Sequence, residues 1–488
     1  MRPVGDAFET VVGLECHVEL STRTKMFCGC PVAFGAPPNT NVCPVCLGLP
    51  GTLPVPNEAA IAAIVKIGLA LGCEIATDSL FHRKNYFYPD MPKDFQISQY
   101  DLPLCVGGHL DVVVDAEPRR IGITRVHMEE DTGKTTHMGA TGRIGGADYA
   151  LVDYNRAGTP LVEIVSEPDI RSAEEARAYL TELRAVLESL DVSDVRMEEG
   201  SLRCDANVSV RRRGETAYGT RVEIKNLNSI RSLERAVRHE EERHRRLLAA
   251  GEPIRQETRH FDEETGETHT LRSKEEAFDY RYFPEPDIPR LAPAVPWIAS
   301  IRDALPELPA ARRARYEGTL GLSADQAQGL VADRALGSLF EATVAVAPAV
   351  APRAVANWIG QNLVAILNDT GRTAAEAPVA PTSLAEVIAL VEDGTVSATA
   401  GKQVLEEVVA TGRPAMEVVE ERGLRQVSDT GALEAWVDEV LAAHPDEVAA
   451  YRGGKQGLLG FFTGQVMQRS RGSANPKAVG DLLRARLG

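Results

Sequence analysis

Metal-capable side chains occupy alternate positions in residues 11–21, VVGLECHVELS. Residues of a β-strand point alternately to its two faces, so one face would carry Glu15, His17 and Glu19 at steps of about 6–7 Å. The other face would be apolar and would cover a core. Two carboxylates and an imidazole in a row favour a metal or reaction site. A solvated strand face is the alternative, although such faces usually carry Lys and Thr as well.

Two further segments show the same division into an apolar and a polar face. The polar face of residues 201–211 would carry Arg203 and Asp205, and that of residues 220–226 would carry Glu223 and Lys225. Mixed charges across a sheet suit a phosphate-bearing substrate with its metal. A lattice of structural salt bridges explains the same pattern, and the sequence leaves this alternative open.

Two carboxylates fall among apolar neighbours. Glu130 shares its predicted face with Met128, and Glu163 shares its face with Leu161. An unpaired buried carboxylate is strongly destabilising. We therefore expect a metal, a cation or a functional role at both positions.

Four of the eight cysteines are clustered. Cys28 and Cys30 form one close pair, and Cys43 and Cys46 form another twelve residues later. This spacing is typical of a four-thiolate zinc site, in which each pair spans one edge of a tetrahedron. Four protein ligands saturate the ion, so the predicted zinc is structural. The other four cysteines are expected to be buried as small apolar residues.

The length of 488 residues predicts two or three domains. Residues 1–296 alternate in short stretches, which indicates an α+β domain, and a proline-rich boundary follows. Helical spacing then predicts a helical domain over residues 297–412 and a helical tail domain over residues 413–488. Neither a signal peptide nor a membrane-spanning run of about 20 apolar residues is present, so a cytoplasmic protein without membrane contact is expected.

The net charge of −17 argues against broad, non-specific nucleic-acid binding, although a local basic patch stays compatible with it. No standard nucleotide motif marks an ATP site. The segment EDTGKTT resembles the end of a P-loop, but Met128 stands where that motif requires glycine. A nucleotide would have to bind in another way.

Several long segments resemble the B subunit family of the glutamyl/aspartyl-tRNA amidotransferases. They follow the family order over residues 8–290: GLECHVEL, RKNYFYPDMPKDFQISQYD, HMEEDTGK, VDYNRAGTPLVEIVSEPD, MEEGSLRCDANVS, EIKNLNS and DYRYFPEPD. The segments GKQGLLGFFTGQVM and SRGSANP extend the resemblance to the C-terminal region. It therefore covers nearly the whole chain. A large inserted domain, as in the archaeal E-type relatives, is not expected.

The resemblance implies a glutamine-synthetase-like catalytic domain, the cradle, followed by the helical domain and the tail. It implies an ATP-dependent ligase that phosphorylates the side-chain carboxylate of Glu-tRNA(Gln), Asp-tRNA(Asn) or both, after which ammonia displaces phosphate. An amidase-family A subunit would release the ammonia from glutamine and pass it through a tunnel, and a small C subunit would clamp A and B together. The sequence leaves open which tRNA is the substrate and where the nucleotide binds.

The resemblance also implies roles for individual residues. The magnesium ligands of the family correspond to Glu15, His17, Glu130 and Glu163, with Glu129 and Glu19 as neighbours. Catalytic positions at the pocket or the tunnel mouth correspond to Lys84, Glu130, Arg203, Asp205 and Lys225. The tail would recognise tRNA through a basic cluster formed by Arg469, Arg471, Lys477, Arg484 and Arg486. A non-catalytic, zinc-bearing, tRNA-binding scaffold is the competing hypothesis.

Overall fold

The structure is a computed structural model that describes residues 7–139, 147–273, 280–426, 430–470 and 474–488. The chain divides into two compact units, Met1–Pro309 and Ala310–Gly488. A β-sheet dominates the described part of the first unit, and helices form the second. The predicted α+β class with a helical C-terminal region is confirmed. Compared with the family that the sequence resembles, residues 138–149 are predicted to contain a loop extension, and residues 140–146 of this stretch lie outside the described residues.

The sheet of the first unit is built largely from antiparallel pairs. Its main path runs in the order β14-β13-β12-β11-β1-β10-β7-β4-β3-β15. The strands are β1 Phe8–Glu19, β2 Glu74–Ile75, β3 His82–Asn85, β4 Phe95–Ser98, β5 Cys105–Val106, β6 His109–Val114, β7 Glu117–Glu130, β8 Lys134–Gly139, β9 Ala147–Asp153, β10 Pro160–Ser166, β11 Leu202–Arg212, β12 Val222–Leu227, β13 Glu257–Phe261, β14 Thr268–Ser273 and β15 Phe283–Pro284. Strands β8 and β9 form a separate hairpin.

Strand β1 lies between β10 and β11, near the middle of the path. Its side chains at Val12, Leu14, Cys16 and Val18 are buried, and the residues between them are only partly buried. Strand β11 alternates in the same way from Leu202 to Val208. The alternation predicted for both segments is confirmed. One face of the sheet is therefore buried and apolar, and the other is partly buried and polar.

Helices cover the apolar face of the sheet and complete the core of the first unit. They are α1 Glu58–Ala70, α2 Ala173–Ser189, α3 Ile230–Ala250 and α4 Val295–Asp303. Local signals set their bounds: the Ser172 and Ser229 side chains cap the first turns of α2 and α3, and Gly251 ends α3 at a φ of 75°. The polar face of the sheet stays available for chemistry.

The described part of the second unit is helical and contains two hydrophobic clusters. Its α-helices are α5 Pro309–Gly318, α6 Ala324–Ala332, α7 Arg334–Val346, α8 Pro352–Asn357, α9 Val364–Thr370, α10 Pro381–Glu392, α11 Ala398–Thr411, α12 Ala415–Arg422, α13 Thr430–Ala443, α14 Pro445–Arg452, α15 Leu458–Arg469 and α16 Pro476–Leu487. A π-helical stretch, Trp358–Leu363, joins α8 to α9. Among the described residues, no helix combines the length and apolarity needed to span a membrane.

Two helices belong to a different part of the structure from the domain in which the sequence predicts them. Ile298 and Ile301 of α4 belong to the core of the first unit, although the sequence predicts a boundary at 296/297. Val418 and Val419 of α12 belong to the first cluster of the helical unit, although residues 413–488 are predicted as the tail. Both helices pack by their apolar faces, which the proline-rich and glycine-rich signals near them do not reveal. The second cluster begins at Leu433.

Candidate active site and four-cysteine group

A row of directly opposed residues crosses four strands on the polar face of the sheet. His17 of β1 faces Arg203 of β11 on one side and Glu163 of β10 on the other. Glu163 in turn faces His127 of β7. Directly opposed side chains of neighbouring antiparallel strands lie about 4.5–5.5 Å apart at Cβ. The register therefore gathers charged residues that are up to 186 positions apart in the sequence.

An acidic group lies at the centre of this row. One possible ligand atom from each of His17, Glu129 and Glu163 lies within 4.8 Å of the other two. His127 Nε2 lies 3.1 Å from Glu163 Oε2 and 3.3 Å from Glu129 Oε1. Burial lowers the pKa of His127, but the hydrogen bonds that it donates to the two carboxylates outweigh this effect and raise the pKa to about 9. Two carboxylates and an imidazole converge on one point, which suits a divalent cation that prefers oxygen ligands.

Glu15 and Glu130 differ in their relation to this group. Burial raises the pKa of Glu15 and the charge of Glu163 adds to it, so Glu15 lies beside the group. Glu130 lies on the other face of β7, because adjacent strand residues point in opposite directions. Its carboxylate pairs with Lys93 and accepts a 2.9 Å hydrogen bond from the Ile97 amide. Glu129, not Glu130, thus joins His17 and Glu163, and magnesium binding at the predicted set stays a prediction.

Glu130 instead lines a cavity of about 280 Å³ together with Lys93 and Lys25. Sequence reasoning found the buried carboxylate but missed Lys93, its partner. The two residues lie 37 positions apart, and Lys93 comes from the segment that precedes β4. Glu130 was expected to need a compensating partner, and a lysine provides it.

The catalytic candidates Lys84, Asp205 and Lys225 lie on the same polar face. Burial lowers the pKa of Lys84, but the nearby carboxylates, first Glu129, outweigh it and raise the pKa above its usual value. Lys84 Nζ also lies 5.2 Å from the centre of the Tyr280 ring. Lys225 Nζ lies 2.7 Å from Asp205 Oδ2. Two lysines thus keep their charge within the acidic surroundings.

Arg203, the fifth catalytic candidate, belongs to a second charged group. Its Nη2 donates to Asp131 Oδ2 at 2.7 Å, and Arg156 Nε lies 3.6 Å from the same oxygen. Burial and then the charge of Asp131 raise the pKa of Glu19 to about 8. Sequence reasoning missed Asp131 and Arg156, although EEDTGK and DYNRAG, which contain them, were among the recognised segments.

The four predicted cysteines converge. Their sulfur atoms all lie within 4.8 Å of one another. A hydrogen bond from Cys28 lowers the pKa of Cys46 to about 4, and Lys25 favours the thiolate further. Lys25 is fully buried, with Nζ 3.6 Å from Cys46 Sγ and 3.2 Å from the Tyr154 carbonyl oxygen. A four-sulfur group with one thiolate already favoured fits a zinc ion, and a buried cation beside it offsets negative charge.

The chain matches known protein families over most of its length. Residues 10–299 match the model described as the GatB/GatE catalytic domain, and residues 338–487 match the GatB domain. The B subunit of the aspartyl/glutamyl-tRNA(Asn/Gln) amidotransferase of Anaeromyxobacter sp. (strain K) is 54% identical over 489 residues, covering 100% of both chains. The protein of that name from Moorella thermoacetica is 53% identical over 98% of this chain and 100% of its own length. The one from Geobacter sulfurreducens is 51% identical over 98% and 99%.

Proposed function

Because this chain belongs to the family of B subunits of the aspartyl/glutamyl-tRNA(Asn/Gln) amidotransferases, we propose that it carries out the ATP-dependent half of that reaction. ATP phosphorylates the side-chain carboxylate of the glutamate or aspartate carried by tRNA. Ammonia then attacks the acyl phosphate and releases inorganic phosphate. A free carboxylate is a poor electrophile. Its conversion to an acyl phosphate allows ammonia to attack it and form the amide.

The convergence of His17, Glu129 and Glu163 supports this proposal most directly. These three residues, with Glu15 beside them, are the proposed magnesium ligands. A magnesium ion bound by these residues would supply positive charge for phosphoryl transfer. His127 orients Glu129 and Glu163 by hydrogen bonds to both.

Lysine and arginine side chains would place the two anionic substrates. Lys84 lies beside the acidic group and keeps its charge, so it can attract the carboxylate or the phosphoryl oxygens that approach. Lys225 is held against Asp205 and Glu223. Arg203, fixed by Asp131, lies at the end of the row next to His17. Lys225 and Arg203 are each anchored by a carboxylate, which reduces the rearrangement needed when the substrate binds.

The finer assignments follow from family membership. We propose that the first unit is the glutamine-synthetase-like cradle and that zinc binds Cys28, Cys30, Cys43 and Cys46. A glutaminase A subunit supplies ammonia through a tunnel, and a small C subunit joins the two. We also propose that the reaction takes place in the cytoplasm.

With both misacylated tRNAs, ATP and magnesium, we expect the isolated chain to form the amide from ammonium chloride but not from glutamine. The four cysteines outside the cluster are buried, and their thiols contact one another or backbone carbonyls. Among the described residues, none of the contacts of these four thiols is with a base that could activate a glutaminase nucleophile. Amide formation on recovered tRNA is the measurement.

Adding the A and C subunits should restore the use of glutamine, which makes the assembled complex the positive control. Trapping an acyl phosphate before ammonia is added would exclude the hypothesis that the chain is a non-catalytic scaffold. Glutamine-dependent amidation by the isolated chain would contradict the division of labour. Failure with ammonia in the assembled complex would refute the function itself.

We propose that the C-terminal helices bind tRNA, although the basic cluster is more neutral than the sequence indicates. Arg469 Nε lies 2.5 Å from Glu439 Oε2, and Arg486 Nε lies 3.2 Å from Asp438 Oδ1. Arg484 also pairs with a carboxylate, and Arg471 lies outside the described residues. Lys477 makes no salt bridge with any residue in the described part of the chain.

Removing residues 427–488 is expected to weaken tRNA binding and to flatten its salt dependence. Each lost phosphate contact reduces the slope of log affinity against log salt by about 0.7–0.9. The cut after residue 426 keeps α12, whose Val418 and Val419 stabilise the preceding cluster. Filter binding over a salt series measures the slope.

Glutamine hydrolysis by the assembled complex without tRNA should persist in the truncated form, which controls for assembly. A Lys477→Ala variant should reduce the slope of log affinity against log salt by about the contribution of one phosphate contact. Equal affinity of the truncated and intact complexes at every salt concentration would show that the tail does not contact tRNA.

A further inference from the structure

Lys84 differs from the other cations of the polar face in how it is held. Lys225 and Arg203 each contact a carboxylate at 2.7 Å. Lys84 makes no salt bridge with a carboxylate in the described part of the chain, although the charges of Glu129 and Glu163 act on it. A lysine ammonium sits on a flexible four-carbon stem. Other neighbours must therefore set its position.

Aromatic rings surround Lys84. Strands β3 and β15 are antiparallel, and their register, continued by one residue, sets Tyr282 opposite Lys84. Lys84 Nζ lies 5.2 Å from the centre of the Tyr280 ring, a distance at which an aromatic face attracts an ammonium group. The Tyr280 ring meets Tyr86 and Tyr282 edge-on, and Tyr282 stacks on Tyr100 with 4.3 Å between ring centres. These four side chains form one connected tyrosine group: Tyr86, Tyr100, Tyr280 and Tyr282.

Asn85, the next residue of β3, holds the backbone that carries two of these rings. Its amide nitrogen donates to the Tyr280 carbonyl oxygen at 3.0 Å. Its Nδ2 donates to the same oxygen at 3.2 Å and to the Arg281 carbonyl oxygen at 2.8 Å. Arg281 has a φ of 45°, in the left-handed region that residues other than glycine rarely adopt. Such a conformation persists only where its surroundings enforce it, and the three hydrogen bonds from Asn85 do so here.

We propose that Asn85 is a positioning residue that holds the tyrosine group against Lys84 and thereby keeps Lys84 Nζ beside the acidic group. The inference rests on the proposed function, in which Lys84 meets the anionic oxygens of the substrates. Adjacent residues of a strand point to opposite faces, so Asn85 acts through the tyrosines and not on the substrate. The arrangement matters because a displacement of about 1 Å at a reacting group can cost about 100-fold in rate.

Rapid-quench measurement of acyl-phosphate formation by the assembled complex, over a series of misacylated tRNA concentrations, tests this inference. Tyr280→Leu should lower the maximal rate by about 2- to 30-fold, the range expected for one lost cation–π contact, at an unchanged KM for tRNA. Tyr280→Phe keeps the ring and should keep the rate. Asn85→Ala, which releases the whole turn, should lower the rate by up to about 100-fold. Adding Arg281→Gly to that variant should restore part of the rate, because glycine adopts the left-handed conformation without strain.

A Lys84→Ala background separates positioning from a general structural role. In that background, Tyr280→Leu and Asn85→Ala should cause little further loss of rate, because the side chain on which they act is gone. Full additional losses in the Lys84→Ala chain would show that both residues act independently of Lys84 and would overturn the proposal.

Tyr149→Leu, at a tyrosine of the β9 hairpin that is 59% exposed, makes the same change outside the tyrosine group and should leave the rate unchanged. A raised KM for tRNA at an unchanged maximal rate in Tyr280→Leu would show that the ring binds tRNA itself, which would overturn the positioning role. Unchanged kinetics in both Tyr280→Leu and Asn85→Ala would also overturn it and leave the proposed function standing. If the unchanged complex forms no acyl phosphate, the proposed function fails and the inference fails with it.

Discussion

Replacing Glu163 by Gln is expected to reduce acyl-phosphate formation by about 100- to 1,000-fold, the usual effect of losing one well-placed electrostatic contact. Glu163 pairs with His127 at 3.1 Å and lies 3.7 Å from His17. Glutamine keeps the size of the side chain and can still accept the hydrogen bond from His127, but it lacks the charge. Rapid-quench measurement of the acyl phosphate, across a magnesium series, gives the rate. His17→Ala and Glu129→Gln should act in the same direction.

Glu215→Gln makes the same change of charge at an exposed position and should leave the rate unchanged. A Glu163→Gln protein with the unchanged rate and magnesium requirement would remove the acidic group from the proposed mechanism. Glu130→Gln is a poor test of metal binding, because it leaves the buried Lys93 unpaired. Breaking such a pair costs about 3–5 kcal/mol of stability, so activity would fall for a different reason.

Replacing Cys46 by Ser is expected to reduce bound zinc from about one ion per chain to nearly none. Cys46 is the buried member of the four-cysteine group and the sulfur that contacts Lys25. Loss of a structural metal belongs to the small class of changes that cost more than about 4 kcal/mol. The melting temperature should therefore fall together with the zinc content, as measured by metal analysis and thermal unfolding.

Cys73→Ala serves as the control, because Cys73 is buried outside the group and donates to the Gly107 carbonyl. It should keep its zinc. Lys25→Met should retain the four sulfurs but release zinc faster to a chelator, since the buried cation no longer offsets their charge. Intact chain that is free of zinc when purified without a chelator, yet melts at an unchanged temperature, would refute a structural zinc.

The features that depend on nearby residues were accessible from the sequence. The four cysteines lie within nineteen positions, and their spacing alone predicts their convergence, which the structure confirms. The alternation along β1 and β11 was equally clear, because a strand repeats every two residues. Family resemblance then linked these segments to one reaction.

The features that depend on the register of the strands could not be predicted from the sequence. Glu129 and Glu130 are adjacent and chemically alike, and which of them joins His17 depends on the face on which the core lies. The sequence pattern placed Glu163 beside Leu161 on an expected core face, but the core is formed through Val162 and Ile164 instead. His127 was missed because its partner Glu163 lies 36 positions away. Pairings of this kind follow from the whole sheet.

The position of β1 in the sheet has a consequence for synthesis of the chain. Its two neighbours are residues 160–166 and 202–212, so the apolar face and both edges of β1 leave the ribosome long before their partners. At about 5–20 residues per second, roughly 10–40 s separate the end of β1 from the end of β11. During that interval an unpaired, apolar strand is free to associate with other chains. Strand β1 is therefore the segment that chaperones would need to protect during synthesis. The row from Arg203 to His127 assembles only after most of the first unit has been made.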